Sequence, residues 1–431
     1  MTTLEKRRKA SIDPITVRPE MRIRVLSDRD IEKIHQATLT VLEERGVKFP
    51  SKRALEAFAE AGARVDFGNQ VVKIPPDLLM KSLANAPRTF TMASRGDQDL
   101  DLHLDGTRTY CGTEGTGLAV VDLETRKRRA STKRDVATMA LICDYLPSIS
   151  FYWPIVSARD VPPPVMPLHE LEASFANTEK HIHIISCVEE RTARYAVEMA
   201  TVIVGGGEAA RKRPPLSLLV CATSPLTQDE KSLGAALAFA EAGLPVLFCT
   251  MPIVGSTGPA SMSGTMVMGN AEILSALCLI QLVCPGAPVC YAFFHDMINP
   301  FTGECWASAP QKATLHTGIV ELGHSYNLPV MSGYGGTGAH EPGSWQTGKD
   351  NAIDALFSFL TGPELMPSLG LLEAYTLLYP EKILFDNEIF NSVKAMTEEI
   401  RVDAETLAMD EIMAVGPGGH FLDRDYTCEN L

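Results

Sequence analysis

From residue 108 to residue 375 the chain repeats one phrase about eight times: a short apolar run, a cluster of Gly, Ser, Thr, Pro, aromatic or charged residues, then a stretch able to form a helix. The runs cover residues 108–111, 149–156, 181–188, 216–222, 245–250, 288–294, 328–332 and 365–372. Each is too short for a helix and too continuously apolar for a strand with one wet face, which is how a strand buried on both sides in a parallel sheet reads. Eight such strands alternating with helices predict an α/β fold, a closed (β/α)8 TIM-type barrel, in which functional residues sit just past the carboxyl ends of the strands.

Residues 1–100 read as an N-terminal α+β extension: a helix over 27–45, a second over 51–61, a hairpin of 64–67 with 70–74 around Gly68 and Asn69, and a third helix over 77–86 opened by Pro75 and Pro76. Residues 101–431 hold the barrel and a C-terminal helical segment, with one helix expected over 391–413. Barrel helices are expected after Ser131 and Thr132, after Thr227 and after Ser308. Gly205, Gly206 and Gly207 lack the spacing of a dinucleotide fingerprint and read as a loop. The charged end at Leu431 reads as an interrupted terminus.

A net charge of −14, with no basic cluster longer than 126–129, argues against nucleic acid as a partner. The first eleven residues have no apolar core of a secretory signal. The longest apolar stretch, 266–283, is interrupted by Gly269, Asn270, Glu272 and Gln281, so no membrane span is expected. Ten cysteines lie singly, with no CxxC, which points to reduced thiols in a cytoplasmic protein and to no metal site.

The expected strand ends carry Glu114 after the first run, Trp153 in the second, Phe294, His295 and Asp296 after the sixth, Tyr334, His340 and Glu341 after the seventh, and Glu373 with Tyr375 after the eighth. Aromatic faces and carboxylates around one cavity suit a quaternary ammonium ion, which has no N–H to donate and is held by ring faces and anions. Trp153 and Phe294 can equally fill the barrel top, His295 can be hydrogen-bonded scaffold, and His181 with His183 reads as structure. Glu114 and Glu373 are harder to assign to packing, because an isolated carboxylate beside apolar residues must be paired or functional.

Five segments, LSDRDIEKIHQATLTVLEERGV at 26–47, IPPDLL at 74–79, YCGTEGTGLAVVDLETRKRR at 110–129, NTEKHI at 177–182 and GPGGHFL at 416–422, give the chain a resemblance to the trimethylamine methyltransferase family. The resemblance implies a barrel that moves a methyl group from a methylated amine to the Co(I) corrinoid of a separate partner protein, with no cofactor bound in this chain. Archaeal trimethylamine enzymes of the family carry pyrrolysine. This chain has only the standard twenty residues and is similar to the branch acting on glycine betaine and other quaternary amines. On that reading Trp153, Phe294 and Tyr334 cage the cation, Glu114 or Glu373 supplies countercharge as the catalytic carboxylates, and His295, His340 or Arg159 holds a substrate carboxylate. A homo-oligomer is left open, and a non-catalytic betaine-binding or regulatory barrel is the alternative.

Overall fold

The computed structural model describes residues 9–333 and 337–430. It divides into two units, residues 1–393 and residues 394–431.

Eight parallel strands build the first unit: β1 (Arg108–Thr113), β2 (Phe151–Tyr152), β3 (His181–Ile184), β4 (Leu216–Cys221), β5 (Val246–Thr250), β6 (Val289–Phe293), β7 (Val330–Met331) and β8 (Leu365–Leu369). Each falls within or across one of the eight apolar runs. Neighbours pair in chain order, and β8 pairs back onto β1 with Leu365 opposite Tyr110 and Leu369 opposite Thr113, which closes the barrel. Leu219, Leu247, Cys290, Met331 and Leu365 fill its interior, and burying each large apolar side chain contributes about 1.5–3 kcal/mol.

The amino end of the barrel is plugged. A hairpin of Phe90–Met92 with Leu102–Leu104 sends Met92, Leu102 and Leu104 into the interior cluster. The Tyr110 hydroxyl accepts from the His103 backbone N–H at 3.1 Å, and Ala93 N–H donates to Pro214 O at 2.8 Å. With that end shut, access to the interior runs through the carboxyl ends of the strands.

The N-terminal helices follow the pattern read from the sequence. Asp28–Thr40 starts at the Ser27 cap and continues in a wider turn over Val41–Arg45, Lys52–Glu60 starts at Ser51, and Pro76–Leu83 follows Pro75. The hairpin pairs Arg64–Asp66 with Val71–Lys73. Helix Met262–Val283 is long and apolar enough to cross a membrane by length and composition, yet it is largely buried, packed between these three helices on one side and β5 and β6 on the other.

Two expectations need correction. The expected helix over 391–413 is two helices, Lys382–Met396 and Met409–Val415, because Asp403 accepts from Glu405 and Thr406 N–H in a turn and Ala408 takes φ +46°. The helices expected after Thr227 and after Ser308 are present as Glu230–Ala242, capped by Asp229, and Gln311–Ser325, which starts at Pro310. Of the glycine run, Gly205 and Gly206 form the turn, but Gly207 opens a short helix, Gly207–Lys212.

Candidate active site

All eight strands send residues to one cavity of about 280 Å³ at their carboxyl ends. Glu114 and Thr116 come from the end of β1, Trp153 from β2, Ile185 from β3, Cys221 from β4, Cys249 and Met251 from β5, Phe294 and His295 from β6, Gly333 from β7, and Ala374 to Thr376 from beyond β8. Apolar surface dominates this lining.

Glu114 is the one carboxylate among the described lining residues. Its backbone N–H donates to Leu369 O at 2.8 Å, which fixes it at the seam where the barrel closes. The side chain is buried, and Gly115 N–H reaches Oε1 at 3.3 Å. Burial pushes the carboxyl up to about 7, with the Gly115 bond a minor opposing effect. A carboxylate this poorly compensated is a strong attractor for a cation that enters the cavity.

Trp153 is 2 % exposed and pinned by two bonds to Thr113: its backbone N–H donates to Oγ1 at 2.8 Å and its backbone carbonyl accepts from Oγ1 at 2.6 Å. Its ring meets His183 edge to face at 5.0 Å. The GTEG segment is what lets the rings in. A Cβ at Gly115 would lie 1.7 Å from Trp153 Nε1, and one at Gly112 would lie 2.2 Å from the Phe151 ring, so both positions exclude any side chain.

His295 donates from Nε2 to Lys312 O at 3.0 Å, leaving Nδ1 without a partner among the described residues. Burial, with Lys312 and His316 adding to it, holds His295 well below the usual histidine range, so it is neutral. Lys312 is itself buried, with Asp296 at 3.4 Å and the Tyr375 hydroxyl at 3.3 Å from its Nζ. Sequence reading missed this lysine, since nothing in the first turn of an amphipathic helix signals that the ammonium points inward. Cys221 and Cys249, read from the sequence only as reduced thiols, are part of the cavity wall.

Glu373 and His340 lie elsewhere. The Glu373 carboxylate accepts from Arg128 at 2.8 Å and from His340 at 3.0 Å, outside the cavity lining. Partial burial works to raise it, but the His340 bond and the Arg128 charge carry it below the usual carboxylate range. The loops after β1 and β8 bring these groups together, because Ala119–Val121 and Arg128–Ala130 form one small sheet with Leu371–Leu372 and Leu377–Leu378. The two carboxylates expected as sources of countercharge therefore differ: one faces the cavity, the other is already paired at the rim. Arg159, expected near a substrate carboxylate, donates to Leu118 O at 3.2 Å on the outside. Tyr334 lies outside the described residues.

Three consecutive residues after β8, Glu373, Ala374 and Tyr375, have φ of +50°, +49° and +73°. Left-handed backbone at non-glycine residues costs on the order of 1–3 kcal/mol each and persists only where the surroundings impose it. Here Glu373 N–H donates to Ala339 O, Ala374 N–H to Thr337 O, and Thr116 Oγ1 to Tyr375 O. The strained turn is what carries Ala374 and Tyr375 over the cavity.

A barrel closed at its amino end, with an apolar cavity and one buried carboxylate at the other, has the layout of a TIM-barrel enzyme site. The family model described as trimethylamine methyltransferase matches residues 2–431, and this chain belongs to that family and is a methyltransferase. It is 33 % identical to a trimethylamine methyltransferase of Desulfitobacterium hafniense over 94 % of this chain and 81 % of that protein. A trimethylamine methyltransferase of Methanosarcina barkeri is 32 % identical over 91 % and 80 %, and a glycine betaine methyltransferase of D. hafniense 29 % identical over 94 % and 84 %. The solved monomethylamine methyltransferase of M. barkeri shares the fold, with a TM-score of 0.58 over 95 % of this chain and 82 % of that one at 11 % identity.

Proposed function

We propose that this enzyme takes a methyl group from a methylated ammonium ion, quaternary in preference to tertiary, and passes it to the Co(I) corrinoid of a partner protein. The observation that carries the reading is Glu114, a buried carboxylate with little compensation in a cavity otherwise lined by apolar and aromatic surface. A trimethylammonium head placed there satisfies Glu114 and meets the faces of Trp153 and Phe294, an attraction worth about 1–2 kcal/mol in a dry site.

In the reaction the C–N bond breaks as a C–Co bond forms on the opposite side of the methyl carbon. The electron pair of cobalt enters the new bond, and the C–N pair leaves with nitrogen as a neutral amine. No proton need move for a quaternary substrate. The chain's residues orient one methyl toward the mouth, exclude water and hold the positive charge until it is lost. His295, being neutral, adds no repulsion to the cation. The carboxylate of a betaine would find no cationic side chain among the described lining residues, so it would lie toward the mouth.

The trimethylamine and glycine betaine methyltransferases among the relatives support a methylated amine as the donor. Ten free cysteines, with no disulfide among them, support a reducing compartment such as the cytoplasm. The test is mass spectrometry of a panel of tertiary and quaternary methylamines incubated with the enzyme and a reduced corrinoid protein. Loss of one methyl from a quaternary member is the expected result. A panel left intact while ligands still bind would favour a non-catalytic binding barrel.

A further inference from the structure

We propose that Cys221 and Cys249 form a dithiol site in the cavity wall that binds trivalent arsenicals, a ligand class held by two sulfurs at once. The two residues are register partners on adjacent parallel strands, so their side chains leave the sheet on the same face, and both line the cavity. Both are free thiols. Cys221 is partly exposed to the cavity, while Cys249 is 1 % exposed and donates to Thr250 O at 3.3 Å. The next position in the same register is Ala292, whose small side chain leaves room beside the pair.

Neighbouring strands lie about 4.8 Å apart, so register partners on one face bring their two sulfurs near enough for a single inserted atom to bond both. Among the described residues no three His, Cys, Asp or Glu side chains gather to hold a metal ion, so the pair offers two donors and suits an ion or atom satisfied by two thiolates. Burial, with the neighbouring Cys221 thiol adding to it, holds the Cys249 thiol well above the usual range, so this thiol keeps its proton until the ligand arrives. With phenylarsine oxide each thiol gives its proton to the arsenic-bound oxygen, two As–S bonds replace the As–O bonding, and one water leaves, with no change in oxidation state. The phenyl ring then lies in apolar space. Exposed Cys305 and Cys428 serve as controls for addition at a single thiol.

The site stands on strand geometry and does not depend on the amine reading. The experiment is intact mass spectrometry of the folded protein after phenylarsine oxide, a wash in excess 2-mercaptoethanol, and then 2,3-dimercaptopropanol. The wild type is expected to keep one arsenic per chain through the monothiol wash and to release it to the dithiol. Cys221→Ser and Cys249→Ala, checked by thermal melts, are expected to lose the arsenic at least a hundredfold faster, while Cys305→Ser and Cys428→Ser keep it. Peptide mapping of wild-type protein supplies a second readout that needs no variant: bound arsenical should block maleimide at Cys221 and Cys249 and leave Cys305 and Cys428 labelled. A folded wild type that retains no arsenic, retention undiminished in Cys221→Ser, or maleimide protection at other cysteines would each overturn the proposal.

Discussion

Glu114 and Glu373 follow the two strands that close the barrel, yet the fold treats them oppositely. At the rim, Glu373 has a guanidinium and an imidazole within 3.0 Å and is held below the ordinary carboxylate range. At the cavity, Glu114 has one backbone N–H at 3.3 Å and is raised to about 7. The rim carboxylate is satisfied by the protein and braces the loop that carries Ala374 and Tyr375. Its counterpart in the cavity is left for a ligand to satisfy. Position after a strand is therefore a weak guide to role, and the partners each loop supplies decide it.

The sharpest way to break this comparison is to disturb what places Glu114. Gly115→Ala drives a methyl into the Trp153 indole, with 1.7 Å where van der Waals contact needs more than 3 Å, and should cost about 3 kcal/mol or more, read as a fall in urea midpoint. Stability unchanged by this substitution would mean that the indole is free to move and that the cavity wall is not fixed.

Glu114→Gln should raise stability. The folded-state value of about 7 lies above the ordinary 4.5, so below about 4.5 folded and unfolded chains both hold the proton and no penalty exists. Between about 4.5 and 7 the unfolded chain loses the proton while the folded one keeps it, so wild-type stability falls across this window and levels off above it. Glutamine removes that loss, which amounts to about 3 kcal/mol at pH 8. Urea unfolding of both proteins at pH 5 and pH 8 checks this, and a difference independent of pH would refute it.

Trp153→Ala should weaken tetramethylammonium binding by about 1–2 kcal/mol in calorimetry. Unchanged affinity would return the indole to the packed core. Smallest is Glu373→Gln, at about 1 kcal/mol or less in stability, because its partners are exposed and screened.

Much of this was legible in the chain itself. Eight apolar runs such as 216–222 and 245–250 mark strands buried on both faces, and Ser27 and Ser51 mark helix starts. Glu114, Trp153, Phe294 and His295 could be placed near one another because a barrel gathers its strand ends. The pairing of Glu373 with Arg128 was hidden, since it depends on two loops, far apart in sequence, joining one small sheet. Hidden too was the reason for Gly112 and Gly115, which lies in rings contributed by a different strand. The hairpin that plugs the barrel was missed because residues 90–92 and 102–104 are too short to give a clear alternation.

The most direct test of the central claim is single-turnover stopped-flow detection of methyl-Co(III), using an amine the wild type demethylates and its reduced corrinoid partner, in wild type, Glu114→Gln and Glu373→Gln. Removing the cavity charge should slow methyl transfer roughly a hundredfold, while the rim variant stays within about threefold because its charge never meets the substrate. A wild-type rate in Glu114→Gln would contradict the claim and place the cation somewhere other than this cavity.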